Sequence, residues 1–291
     1  MSIRNNEDRF SAPQPDTDPP IDILEEEPTG PNPFSFVVPT EFVDLPSRGE
    51  FYSSTHPLHR QETIEIKYMT AKEEDILTSQ SLLEKGLALD RLMANLIIDK
   101  RIKPDGLLSG DRNAILIAAR KSGYGTDYTT KVTCPSCAEV DTHHYNLDEA
   151  VVSLVPEEEE LAELRVARTD KGHFTVELER NPVTVEFRLL TGREETYLLR
   201  NVEKRKKKKL DQQLITDQLK LMIVSINGYT EKELLHKFVD TMTLVDAKLL
   251  RTAAQKVTPN IELRKEFVCD QCGHEDEIEF PFTTDFFWPQ S

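Results

Sequence analysis

The chain carries four cysteines, all in two Cys-x-x-Cys pairs: Cys134 with Cys137, and Cys269 with Cys272. Two thiolates separated by two residues face one side of a tight turn, and two such turns complete a tetrahedral sulfur shell around one zinc. That shell leaves no open coordination position, so the implied zinc is structural, one per chain, held by Cys134, Cys137, Cys269 and Cys272. Strand-like text enters and leaves each pair, KVTCPSCAEVDTHHYNL and EFVCDQCGHEDEIEFPF, which predicts a knuckle on a β-hairpin. Disulfides and redox chemistry are the other uses of paired thiols. Disulfide staples suit small secreted domains. This chain has 291 residues and opens without the basic and apolar blocks of a signal peptide. A thioredoxin-type pair opens a helix, whereas strands flank both pairs here. His143, His144 and His274 stand near the knuckles as alternative ligands, which four thiols make unnecessary.

The second pair follows the first by 135 residues (269 − 134), and the same offset relates DRNAILIAAR from Asp111 to DAKLLRTAAQ from Asp246. In that register Ala114, Ile115, Ala118 and Ala119 fall on Leu249, Leu250, Ala253 and Ala254, one apolar face at helical spacing. Asp111 and Asp246 are expected at the helix starts as caps. A second match has an offset of 121 (191 − 70), with IEIKYMTAKEEDIL from Ile64 resembling VEFRLLTGREETYL from Val185. Each is a strand ending in a capping box, Thr70 with Glu73 and Thr191 with Glu194. These matches predict a helix-rich α+β fold built on a duplicated unit of strand, capped helices and hairpin zinc knuckle, with both knuckles sharing one zinc. Chance likeness between amphipathic helices is the alternative.

The first repeat is expected over 36–150, a linker over 151–173, and the second repeat with an aromatic tail over 174–291. Residues 1–35 are rich in Pro and acidic residues and poor in apolar ones, which predicts a disordered arm. Helices are expected at 71–86, 88–99, 111–122, 192–208, 212–226, 231–242 and 246–257, and a hairpin joins FTVELE to VTVEFRLL around Asn181 and Pro182. No apolar run approaches the length of a membrane span, and without signal-peptide blocks at its opening the chain is expected in the cytosol.

A net charge of −16 opposes general binding to nucleic-acid phosphates. One exception is the run from Lys204 to Lys209, in which Lys206, Lys207 and Lys208 form either a solvated helix end or a docking strip for an acidic protein surface. Near the carboxyl end Phe286, Phe287 and Trp288 either pack on the chain's own core or anchor a partner. The sequence contains no phosphate-binding loop, dinucleotide glycine pattern, HExxH or GxSxG, and its seven histidines make no catalytic pattern. It is not expected to be an enzyme or to take a small-molecule substrate.

FVDLPSRGEFY from Phe42, IEIKYMTAKEEDIL, GDRNAILIAARKSGYG from Gly110, the CPSC knuckle and the terminal FFWP together resemble the T4-type phage baseplate hub and hub assembly chaperone family. The resemblance implies a contractile-tail hub component or hub assembly factor whose partners are other tail baseplate or hub proteins. It would be found in the host cytoplasm during assembly, and in the virion tail baseplate if retained. The competing class is a zinc-ribbon nucleic-acid-binding or transcription regulatory protein, which the acidic balance opposes.

Overall fold

The computed structural model describes residues 37–211, 213–279 and 284–287. The expected arm over 1–35 and Trp288 lie outside them. The unit from Val38 onward mixes helices with several small sheets. Its first sheet pairs β1 (Thr40–Asp44) with β2 (Thr63–Lys67), Val43 opposite Ile64, and the alternation buries Val43, Ile64 and Ile66. The intervening loop turns at Gly49, where φ is +68° and a Cβ would stand 2.2 Å from the Leu58 carbonyl oxygen, so only glycine fits.

Thr70 and Glu73 form the expected capping box on α1 (Ala71–Thr78). The helix expected over 71–86 breaks at Ser79, whose backbone is extended, and resumes as α2 (Gln80–Glu84). Next, α3 (Ala88–Leu96) buries Leu92, Met93 and Leu96, and the chain leaves it extended at Ile97, which bridges Ile66. A short 3-10 turn, Pro104–Gly106, leads to α4 (Ser109–Tyr124) and then to the hairpin of β3 (Asp127–Thr133) and β4 (Val140–Asn146).

The stretch expected as a linker carries β5 (Val151–Ser153), α5 (Glu158–Glu163) and β6 (Val166–Arg168). β6 opens an antiparallel four-stranded sheet with β7 (Phe174–Glu177), β8 (Thr184–Phe187) and β9 (Ile223–Ile226). Between β8 and β9 lie α6 (Gly192–Lys207), which starts on the Thr191–Glu194 capping box, and α7 (Leu214–Met222). The helix expected over 212–226 therefore ends early, because the IVSI stretch pairs with β8 instead, Ile226 opposite Val185. α8 (Lys232–Thr241) and α9 (Leu244–Val257) follow. Then β10 (Asn260–Glu262) pairs with β5, and β11 (Arg264–Val268) with β12 (Glu275–Glu279). At Gly110 of α4, a Cβ would lie 2.2 Å from the Pro259 carbonyl oxygen, so glycine sets how closely that helix approaches the chain entering β10.

Asp111 and Asp246 are not caps. The capping positions are Leu108 and Thr243, and the two aspartates sit in the first turns, 0% exposed. Asp111 accepts the Ser47 N–H at 3.0 Å and the Ser47 hydroxyl at 2.6 Å, while Asp246 accepts the Arg180 N–H at 3.0 Å and the Asn181 amide at 3.2 Å. Each carboxylate thus ties a helix start to a distant loop, which a local reading of the helix text does not reveal. Leu92, Ile115, Phe174, Phe187 and Leu250 belong to one apolar core.

Candidate metal centre

Each Cys-x-x-Cys pair occupies the turn of a hairpin, the first between β3 and β4 and the second between β11 and β12. In the first, the Cys134 N–H donates to the Glu139 carbonyl at 2.8 Å and the Ala138 N–H to the Cys134 carbonyl at 2.9 Å. The second repeats this, from Cys269 to His274 and from Gly273 to Cys269, both at 2.9 Å. The residue after each second cysteine is left-handed, φ +61° at Ala138 and +67° at Gly273. That conformation tightens the turn and brings both thiols to one side. Glycine takes it freely, whereas alanine carries a Cβ penalty.

The two turns face each other. Cys134 and Cys272 sulfurs are 3.7 Å apart, Cys137 and Cys269 sulfurs 3.6 Å, and all four lie within 4.8 Å of one another. A disulfide needs roughly 2.05 Å between sulfurs, and all four cysteines are free thiols. Four sulfurs each ~2.3 Å from a tetrahedral zinc would stand ~3.8 Å apart. The four thiols can therefore hold one metal ion. Cys134 and Cys269 are buried and Cys137 and Cys272 exposed, so the cluster has a sealed side and a side open to an entering ion.

Cys134 and Cys137 ionise unequally. Burial opposes ionisation of Cys134, but the backbone N–H groups of Cys137 and Ser136, with the Cys137 and Cys269 thiols, outweigh it and bring its pKa down to about 6. At Cys137 the Glu139 backbone favours the thiolate, yet burial and the three neighbouring thiols prevail and push it up to about 12. Four crowded thiols cannot all carry negative charge without a cation among them; a bound divalent ion deprotonates its ligands outright.

Histidine is not part of the cluster, which comprises the four sulfurs. The His143 ring packs edge-on to Phe267 at 5.1 Å, joining the two hairpins, and His144 Nδ1 meets the Thr129 hydroxyl at 2.9 Å. The His274 imidazole lies 3.8 Å from Asp276.

Phe286 and Phe287 are 0% exposed, so their rings face this chain's own core and not a free surface. Phe286 packs 5.1 Å from Tyr128 and 5.5 Å from Phe287, centroid to centroid. Arg120, not among the residues the sequence singles out, holds this segment in place. It is buried, and its guanidinium donates to the carbonyls of Phe286 at 3.2 Å, Gly125 at 3.0 Å and Asp127 at 3.1 Å. An arginine on the apolar face of ILIAAR was the available clue. Lys206, Lys207 and Lys208 lie exposed at the end of α6.

Two hairpin turns thus bring four thiols together in a cluster that could coordinate one metal ion. The chain belongs to the T4 bacteriophage base plate protein family, whose model matches residues 39–288. No curated protein and no solved structure matches it significantly. Membership gives the chain a structural role in the phage tail baseplate. No helix among the described residues is long and apolar enough to cross a membrane.

Proposed function

We propose that this chain is a non-enzymatic hub component or hub assembly factor of a contractile-tail baseplate, its fold fixed by one zinc on Cys134, Cys137, Cys269 and Cys272. The four-thiol cluster, assembled from turns more than a hundred residues apart in a base plate family chain, carries this reading. Such a closed site locks distant segments together, as a scaffold for protein contacts requires.

The fold is read as a duplicated unit, over 36–150 and 174–291 with 151–173 between, preceded by an arm over 1–35. Backbone and side-chain detail supports the duplication. The caps Leu108 and Thr243 have nearly equal dihedrals, φ −67° and ψ 151° against φ −68° and ψ 153°. Lys67 pairs with Glu73 at 2.7 Å where Arg188 pairs with Glu194 at 3.0 Å. Partner contacts fall to the basic strip Lys206, Lys207 and Lys208, and assembly begins in the host cytoplasm.

Mass spectrometry of purified tails tests the reading. Stoichiometric recovery identifies a retained hub component, and recovery only from incomplete tails identifies an assembly factor. Absence from both, or tail association abolished by nuclease, refutes it; the second outcome would favour the zinc-ribbon nucleic-acid alternative.

A further inference from the structure

Along the 3-10 turn Pro104–Gly106, α6 borders an open cleft of about 540 Å³. Arg193, Tyr197, Arg200 and Lys204 line it, the three- and four-residue steps of one helix face. The same steps continued beyond the cleft reach Lys207 and Lys208, so the basic run prolongs this face. Lys103, Pro104 and Leu87 form the facing wall.

The charges in the cleft do not cancel. Its two carboxylates are engaged already, Asp90 by Arg112 at 2.7 Å and Asp105 by Arg193 at 3.0 Å. Arg200 and Lys204 have no carboxylate partner among the described residues, and Lys103 Nζ donates to a carbonyl, that of Lys100, at 3.1 Å. Tyr197 stands 52% exposed between these cations, an aromatic of the kind that anchors interfaces. On a chain of net charge −16, this is a local surplus of positive charge around an uncovered ring.

We infer that the cleft receives an acidic segment of another tail protein. Its carboxylates would meet Arg200, Lys204 and Lys103, an apolar side chain would cover Tyr197, and Lys207 and Lys208 would extend the contact. This rests on the reading of the chain as a partner-binding baseplate protein. Duplex DNA fits less well, because its rigid, continuous charge brings many phosphates against the acidic remainder of the molecule.

The test uses the full chain and a short capped oligoglutamate peptide carrying one leucine, with binding followed by fluorescence anisotropy. The unmodified protein binds the peptide, and added salt weakens the complex. Arg200→Glu with Lys204→Glu lowers affinity by roughly tenfold or more. Tyr197→Ala, which leaves the charge unchanged, weakens binding too. Lys232→Glu, on an exposed part of α8, serves as the control and binds as the parent does, and melting temperature confirms that every variant is folded. No binding by the parent, parental affinity in either cleft variant, or tighter binding of a short DNA duplex overturns the inference. Because the measurement does not depend on residence in the particle, a failure here leaves the baseplate reading intact, and a failure of that reading leaves the peptide result standing.

Discussion

The Tyr52 hydroxyl donates to Asp111 at 2.6 Å in the interior, and the same oxygen accepts the Leu108 N–H at 3.0 Å. One phenol thereby holds both the capping position and the first turn of α4 against the loop that follows β1. Burial, and next the Asp111 charge, raise the Tyr52 pKa well above its ordinary value. A raised folded pKa gives stability that is complete below the unfolded pKa and is lost as pH rises through the folded one. Tyr52→Phe should cost about 1–3 kcal/mol, since it leaves buried partners unmade. Urea unfolding should show a lower midpoint at unchanged slope, and the loss of stability at alkaline pH should be shallower than in the parent.

The capping boxes are one source of acid sensitivity. Burial works against ionisation of Glu73 and Glu194, but Lys67 and Thr70 for the first, and Thr191 and Arg188 for the second, outweigh it and hold both below the usual carboxylate range. A depressed folded pKa gives stability that is present above the unfolded value and lost as pH falls through the folded one. Stability should therefore fall as pH drops below the ordinary carboxylate pKa, and Glu73→Gln with Glu194→Gln should flatten that limb. Unfolding midpoints measured from neutral pH into the acid range check this, and an unchanged acid limb would count against it.

Metal analysis of protein purified without chelator should give one zinc per chain. Cys269→Ser should abolish binding and lower the melting temperature. It should also loosen the β3–β4 hairpin, visible as faster amide exchange there, because metal binding is coupled to folding. Two zinc ions per chain would refute the shared centre.

Ala138 pays a conformational penalty that Gly273 avoids, both being left-handed. Ala138→Gly should therefore stabilise the first knuckle by about 1 kcal/mol, less the extra chain entropy of glycine. Gly273→Ala should destabilise the second. Zinc competition with a chromophoric chelator should show the same order, tighter for the first variant and weaker for the second.

Phe286→Ala should cost about 3–5 kcal/mol, the usual range for emptying a buried aromatic site. Thermal melting reads this out; an unshifted midpoint would mean the ring contributes no packing. Arg120→Met should be destabilising as well, since it leaves three carbonyls without their donor.

Chemistry confined to a few neighbouring residues was legible in the sequence. Each Cys-x-x-Cys turn was readable from its own spacing, and the joining of the two from there being no other thiol in the chain; Thr70 with Glu73 and Thr191 with Glu194 were readable as capping boxes because both partners lie within one helical turn. Asp111 and Asp246 were misread, since an aspartate near a helix start looks alike whether it caps that helix or accepts from a loop many residues away. Ile223–Ile226 looked like the end of a helix because a short apolar run suits either state until β8 supplies a partner edge. The β5–β10 pair was hidden for a similar reason, its two strands being three residues each and far apart in the chain.

The sulfur cluster and the β5–β10 pair also impose an order in time. Cys134 and Cys137 are made 135 residues before Cys269 and Cys272, an interval of roughly 7–27 s at synthesis rates of about 5–20 residues per second. Through that interval the first hairpin has only half of its thiols, and β5 lacks the strand it pairs with. The amino-terminal part of the fold is thus born incomplete and is closed by residues made more than a hundred positions later, so a chain terminated between the two hairpins presents unpaired thiols and an open strand edge to the cell.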